Sequence, residues 1–155
     1  MKRSKNLIEL SRDHHHGLLL GWKIKQGLKS DVETEELLNY VSHFAAKALF
    51  PHFAEEERQV LVYLDYNDEY YKKTIEDHLE IREIINRLSP GNVSNKDLLI
   101  ELAGKVERHI RFEERELFPY LERVLSLEQL DAIGKLISEL HQPYSENYPN
   151  AFWAT

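Results

Sequence analysis

The sequence predicts an all-α protein: an up-down-up-down four-helix bundle with a short additional C-terminal helix and an irregular tail. Three observations carry this expectation. Apolar residues recur at the three-and-four spacing of helices between short breaker clusters, and no alternating strand pattern occurs. The long periodic segments are joined by short connections, which favours antiparallel neighbours. The chain also repeats itself. A slide of 57 residues puts His52 on His109, Glu56 on Glu113, Glu57 on Glu114, Arg58 on Arg115, Tyr63 on Tyr120 and Leu64 on Leu121. Asp13-His14 and Asp77-His78 form a weaker second repeat, each preceding one copy of the first. The chain therefore reads as two helical hairpins, each with one His on its first helix and a His/Glu pair on its second.

Taken in order, the first residues form a lead-in whose Leu7, Ile8 and Leu10 pack on the bundle. Ser11 is the expected N-cap of a first helix from about Arg12 to Lys29, with Asp13 in the dipole-favoured first turn. Asp31 is expected to cap a second helix reaching about Asp65. Pro51 lies inside that helix, removes one backbone hydrogen bond and predicts a kink beside His52. Tyr66-Asn67-Asp68 turns the chain into a third helix over roughly 69–88. Ser89-Pro90-Gly91-Asn92 is the clearest breaker and separates the hairpins. Ser94 with Asp97 predicts a capping box for the fourth helix, which contains Pro119 and ends near Val124. Ser126 with Gln129 predicts another, opening a fifth helix to about Leu140. The tail from His141 carries Tyr144, Tyr148, Phe152 and Trp153, aromatics expected to lie on the bundle.

Composition narrows the function classes. At 155 residues the chain is expected to form one domain, 1–155. It has no Cys, which excludes disulfides, thiolate catalysis and Cys-ligated metal or Fe–S sites. A net charge of −7 argues against nucleic acid or an anionic membrane as partner. No apolar run approaches the roughly 20 residues that span a bilayer. The basic start Met1-Lys2-Arg3-Ser4-Lys5 is followed by polar residues and three His, so a signal-peptide core is absent and a cytoplasmic location is expected.

The eight His are the compositional oddity. In a helix, residues four apart share a face, so each His-x-x-x-Glu aims an imidazole and a carboxylate in one direction. Ala45, Ala48 and Leu49 share the side of His52; Ile75, Ile81 and Ile85 share that of His78; Val106, Phe112 and Leu117 fall near that of His109 and Glu113. These polar side chains thus point inward, where two carboxylates would each cost several kcal/mol unless paired, protonated or bound to a metal. Two carboxylates and four imidazoles from four helices predict a metal site. Imidazole and carboxylate without thiolate suit iron, manganese or zinc. Six ligands exceed one tetrahedral zinc and suit two metals sharing bridging carboxylates.

The order His, His-x-x-x-Glu, His, His-x-x-x-Glu on four helices resembles the hemerythrin-like, or HHE cation-binding, family over about residues 11–124. The resemblance implies a non-haem di-iron centre, its two irons bridged by carboxylates and an oxo or hydroxo group. It implies the ligands His14, His52, Glu56, His78, His109 and Glu113, with the two Glu bridging. It also implies a protein that binds or senses oxygen, another small diatomic or peroxide ligand, or iron. The alternative is an enzyme using the same centre as an oxidase, a peroxidase or a nitric-oxide-handling catalyst. A purely structural His/Glu bundle is the third reading. The chain departs from the oxygen-carrying hemerythrins, which place a second His four residues along the third helix and an Asp five after the His of the fourth. Here the first of these positions is Arg82, and the fourth helix uses Glu113.

Helix periodicity selects the first-helix ligand. Gly17, Leu18, Gly21, Ile24 and Leu28 mark the apolar or small face; His14 lies near it, His15 about 100° away and His16 nearly opposite. His14 is chosen over His15. Gly17 and Gly21 are expected to let this helix approach closely or to leave room beside the metals. His43 is placed at the surface, and His141 lies past the bundle without a partner. Tyr63 and Tyr120 are read as core. Glu55, Glu57 and Glu114 are read as solvated or supporting the ligands. Asp13 and Asp77 are read as caps or as hydrogen-bond partners of neighbouring ligands.

Overall fold

The computed structural model describes residues 2–154, and every regular element among them is helical. The first helix, α1 (Ile8–Lys29), begins a full turn before Ser11. Its N-cap is Leu7, and Ser11 instead donates its hydroxyl to Glu114 at 2.6 Å. The expected cap at Ser11 is therefore replaced by a tertiary contact. At the other end, Ser30 N–H reaches Gln26 O and Val32 N–H reaches Gly27 O. This is the pattern that closes a helix around a left-handed residue. That residue is Asp31, at φ +55°. Asp31 thus ends the first helix and does not cap the second, whose N-cap is Glu33.

The second rod is continuous but not uniformly α-helical. It comprises α2 (Thr34–Phe44), a π turn Ala45–Leu49, α3 (Phe50–Glu55), a second π turn Glu56–Val60 and a 3₁₀ turn Leu61–Tyr63. Pro51 sits in the first turn of α3, just after a π turn, where its missing N–H is accommodated. After Asp68, whose side chain accepts from the N–H groups of Tyr70 and Tyr71, comes α4 (Glu69–Arg87). The next rod joins α5 (Asn95–Phe112), a π turn Glu113–Leu117 and α6 (Phe118–Val124). Ser94 occupies the N-cap of α5 without a side-chain bond, so the expected Ser94/Asp97 box does not form. The buried Asn95 side chain ties the loop back to Ser89 instead. The box at Ser126/Gln129 does form and opens α7 (Leu127–Leu140).

Helix α1 packs along α5, α4 packs along α5, and α7 packs on the π turn after α3. The apolar core falls into two clusters. One joins Leu20, Ile24, Tyr40, Phe53, Ile81, Leu102 and Val106, with Phe152 of the tail inside it. The other joins Leu7, Leu10, Val60, Leu117, Phe118, Leu121 and Ile133. All four rods reach both clusters, α4 touching the second only through half-buried Tyr70, Tyr71 and Ile75, and each passes from one cluster to the other close to its His. The lower cluster is sealed by α7, while the tail aromatics Tyr144, Tyr148 and Trp153 pack on the upper one. Tyr63 and Tyr120 are half-buried at the edge of the lower part rather than core residues; Tyr120 stacks on Tyr70 at 4.0 Å. Among the described residues no helix is long and apolar enough to cross a membrane.

Candidate metal centre

Between the two clusters lies a polar layer. The buried polar residues include His14, His52, Glu56, His78, His109 and Glu113, all at most 7% exposed. They form two groups, His14/His52/Glu56/Glu113 and His78/His109/Glu56/Glu113, in each of which one ligand atom per residue lies within 4.8 Å of the others. Glu56 and Glu113 belong to both groups. The first-helix His that reaches the layer is His14; His15 is exposed and His16 half-buried. The rings are held by aromatic faces. Phe53 stacks on His78 at 3.9 Å, and Phe118 on His14 at 5.5 Å.

The imidazoles share one orientation. Each turns Nε2 inward: His14 to Glu113 at 2.8 Å, His78 to Glu56 at 3.1 Å, and His52 and His109 to 3.3 Å from Glu56 and Glu113. Each turns Nδ1 outward to a carboxylate. His14 donates to Glu114 at 2.6 Å, His78 to Glu57 at 2.6 Å, His52 to Asp13 at 2.8 Å and His109 to Asp77 at 3.0 Å. An Nδ1–H held this way leaves Nε2 as the basic, metal-facing nitrogen. The pattern obeys the internal repeat. A first-helix His is oriented by the residue after the inward Glu of the other hairpin. A second-helix His is oriented by the Asp preceding the first-helix His of its own hairpin.

The orienting carboxylates are themselves held. Glu114 accepts from Ser11 and from Arg3, Glu57 from Arg82 at 3.1 Å, and Asp77 from Lys73 at 2.9 Å, with Lys105 at 3.1 Å. Asp13 has no lysine. His141 takes that place, with Nε2 at 3.2 Å from Asp13 and Nδ1 donated to Glu55 at 2.8 Å. His141 was expected to lie apart from the bundle. It is brought in because α7 folds back beside the π turn after α3, a tertiary event with no signal in helical periodicity. His43, expected at the surface, is half-buried against the Tyr148 ring at 5.0 Å. Glu57 and Glu114 prove to be partners of His rings, and Glu55 of His141. The 57-residue repeat carried a signal for the first two, since it pairs them with each other.

Electrostatics follow from this crowding. Burial lowers the His109 pKa, but Glu113 and Asp77 outweigh it and push it up to about 10. Burial likewise opposes charge on His14, yet Glu113 and Glu114 raise its pKa; Glu56 and Asp13 do the same for His52. Burial raises the Glu113 carboxyl, but His109, His14 and His52 hold it well below the usual carboxylate range. By themselves, these side chains balance their carboxylates with protons on imidazoles. Four atoms of the layer are nevertheless buried without a well-formed hydrogen bond: His52 Nε2 and Glu56 Oε2 face each other at 3.3 Å, as do His109 Nε2 and Glu113 Oε2. All four belong to the shared polar layer, and buried polar atoms are rarely left so. The donor set fits divalent or trivalent metal cations of intermediate hardness.

Both inward Glu residues open a π turn, Glu56–Val60 and Glu113–Leu117. The two turns are related by the same 57-residue offset as the motifs. Beside the cluster, a cavity of ≈ 40 Å³ touches His14, His52 and His109; its wall mixes apolar residues such as Gly17, Phe44 and Ala48 with polar ones such as Asp13, Glu55 and Lys47. Gly17 permits close packing of α1 on α5, since a Cβ there would lie 2.6 Å from Ile110 Cδ1. A family model described as the hemerythrin HHE cation binding domain matches residues 6–121. No curated protein and no solved structure matches the chain.

Proposed function

The chain belongs to the hemerythrin HHE cation-binding family, and on that premise we propose that it is a non-haem di-iron protein which binds or senses oxygen or a similarly small ligand. One iron would be held by His14 and His52, the other by His78 and His109, with Glu56 and Glu113 shared between them. The rods of the two hairpins would form an up-down-up-down four-helix bundle around this layer. The observation that carries the reading is that four imidazoles and two shared carboxylates meet in one buried polar layer between two apolar clusters, with four of their inward atoms lacking a well-formed hydrogen bond. Buried polar atoms without good hydrogen bonds are costly, and a shared pair of cations would remove that cost.

The residues of this chain have distinct tasks. Glu56 and Glu113 supply negative charge to both positions. The Nδ1 hydrogen bonds to Glu114, Asp13, Glu57 and Asp77 fix ring orientation and strengthen the nitrogens as donors. The cavity beside the layer, at ≈ 40 Å³, leaves room for only a few water-sized molecules. Iron bound here would supply one-electron chemistry and open coordination positions. A second reading, turnover as an oxidase, a peroxidase or a nitric-oxide-handling enzyme, is favoured by one observation. Arg82 stands where the oxygen carriers place another His, and it is engaged with Glu57; one imidazole fewer leaves one more position open.

Metal analysis of protein made in iron-replete cells tests the proposal. The expected result is about two iron atoms per chain, matching the two ligand groups. One tightly bound zinc, or no metal, would count against it. Mixing the reduced protein with oxygen separates the two readings. A stable, reversible adduct supports binding, and rapid conversion to an oxidised resting state supports turnover.

A further inference from the structure

The cavity beside the polar layer is walled on one side by the tail residues His141, Gln142 and Tyr144. On its outer side lies a second, open pocket of ≈ 330 Å³ lined by His43, Pro143, Ser145 and Asn147. The two share Lys47, Gln142 and Tyr144 as lining, so these three side chains are the partition between solvent and the layer. Two of them belong to the tail, beyond the part of the chain that the family match covers.

The tail segment is clamped on both sides of this partition. On one side the His141 ring donates to Glu55 at 2.8 Å. On the other, Glu146 accepts from the buried Lys23 at 2.8 Å and from Tyr40 at 2.6 Å. Between the clamps, residues 142–145 span the mouth of the cavity. Tyr144 closes it with its ring, which lies edge-on to His16 at 5.2 Å and to Phe44 at 5.3 Å. Gln142 beside it is exposed. The clamps hold the strap, while the Tyr144 ring rests edge-on against its aromatic neighbours and its hydroxyl is buried toward Glu146 and Tyr40. A rotation of this side chain withdraws the hydroxyl from the Glu146 side and opens the passage, while the hydrogen bonds of His141 and Glu146 keep the strap in place.

We propose that Tyr144 is the selectivity gate of the metal centre: small uncharged or singly charged ligands reach the layer from the outer pocket by displacing its ring, and larger ones are excluded. The inference rests on the di-iron reading above. A gate of this kind sets rates of access and leaves equilibrium affinity unchanged, because it slows arrival and departure alike.

The test uses the full, iron-loaded chain and azide as the probe, followed optically by stopped flow, together with the rate at which a bulky iron chelator strips the metal. Tyr144→Ala should raise the azide association and dissociation rates together by about tenfold, equivalent to about 1.4 kcal/mol of barrier, and should speed stripping by the chelator. Gln142→Ala, at an exposed position that does not threaten folding, should give a smaller acceleration of the same kind. Tyr148→Ala, which removes a tail ring packed on Tyr40 at 5.1 Å away from the cavity, should change neither rate. Unchanged azide rates in metal-loaded Tyr144→Ala and Gln142→Ala overturn the gate and leave the di-iron reading standing. Equal acceleration in Tyr148→Ala also overturns it, by showing that any loosening of the tail suffices. A parent chain that holds no metal overturns the di-iron reading and the gate with it.

Discussion

Glu56 and Glu57 are neighbours in sequence with different tasks, and so are Glu113 and Glu114. A step of 100° around the helix takes one carboxylate into the shared layer and the next to the outer nitrogen of a His on another helix. Glu56→Ala and Glu113→Ala should each empty both metal positions, because each residue belongs to both ligand groups. Glu57→Ala and Glu114→Ala should leave the metal bound but weaken its affinity by about 10–100-fold, the usual effect of removing a partner that orients a ligand. Titration with metal in a competing chelator measures the difference, and equal affinities in all four variants would place the bridging role elsewhere. The three consecutive His of α1 are separated by the same geometry. His14→Ala should abolish most of the thermal stabilisation by metal, whereas His15→Ala and His16→Ala should preserve it, since only His14 enters the layer. A loss in His15→Ala equal to that in His14→Ala would shift the register by one.

At the scale of the elements, the contact of α1 with α5 depends on Gly17. Alanine is about 1 kcal/mol better than glycine inside a helix. At Gly17 that gain meets Ile110 Cδ1 at 2.6 Å, close enough to force a shift. Gly17→Ala alone should therefore fail to stabilise the protein. In the Ile110→Val background the offending methyl is gone, and the same substitution should become stabilising by several tenths of a kcal/mol or more. A double-mutant cycle by urea unfolding measures the coupling, and simple additivity would show that the helices part without cost. The π turns are also features of whole elements. Pro51 accounts for the irregularity before α3, but no proline follows Glu56 closely. The turns opened by Glu56 and Glu113 coincide with the repeated motif; Pro119 follows the second just as Pro51 follows Ala45–Leu49, so the turn at Glu56 is the one that accompanies the site without a proline.

For the whole molecule, the polar layer links metal, protons and stability. The layer joins four rods, so metal binding free energy becomes folding free energy. At 100-fold excess over the dissociation constant one site contributes roughly 2.7 kcal/mol, and at a few °C per kcal/mol the melting temperature should rise by several degrees or more. Above neutral pH the metal-free protein should lose stability as the pH rises, in addition to the acid lability that its depressed carboxylates give it at low pH. Its raised imidazoles, His109 at about 10 against 6.5 unfolded, bind more protons folded than unfolded across that interval. Their contribution is complete below about 6.5 and is lost as the pH rises toward 10. Metal takes the place of those protons, so loaded protein should not share the loss. The difference in melting temperature should widen from pH 6.5 upward and close below about pH 5, where protons compete for the nitrogens. Differential scanning calorimetry of both forms across this range measures it, and identical melting at pH 7.5 would mean that the layer is self-satisfied.

Periodicity and the internal repeat were enough to read the all-helical class, most of the rods and the six inward side chains. Those features depend on the angular step of a helix and on the cost of burying polar groups, both local properties of the chain. They were also enough for the Ser126/Gln129 box, whose partners lie within one turn. The ends of α1 were not legible, because Ser11 is taken by Glu114 and Asp31 adopts a left-handed conformation that closes the helix it follows. Nor was the layer around the ligands. Which carboxylate meets which Nδ1, how His141 comes to replace a lysine beside Asp13, and why Tyr144 stands at the mouth of the cavity depend on residues about 20 to 130 positions apart meeting across helices. Spacing along one helix fixes a face but not its neighbour, and only the packing of the rods and the tail decides that.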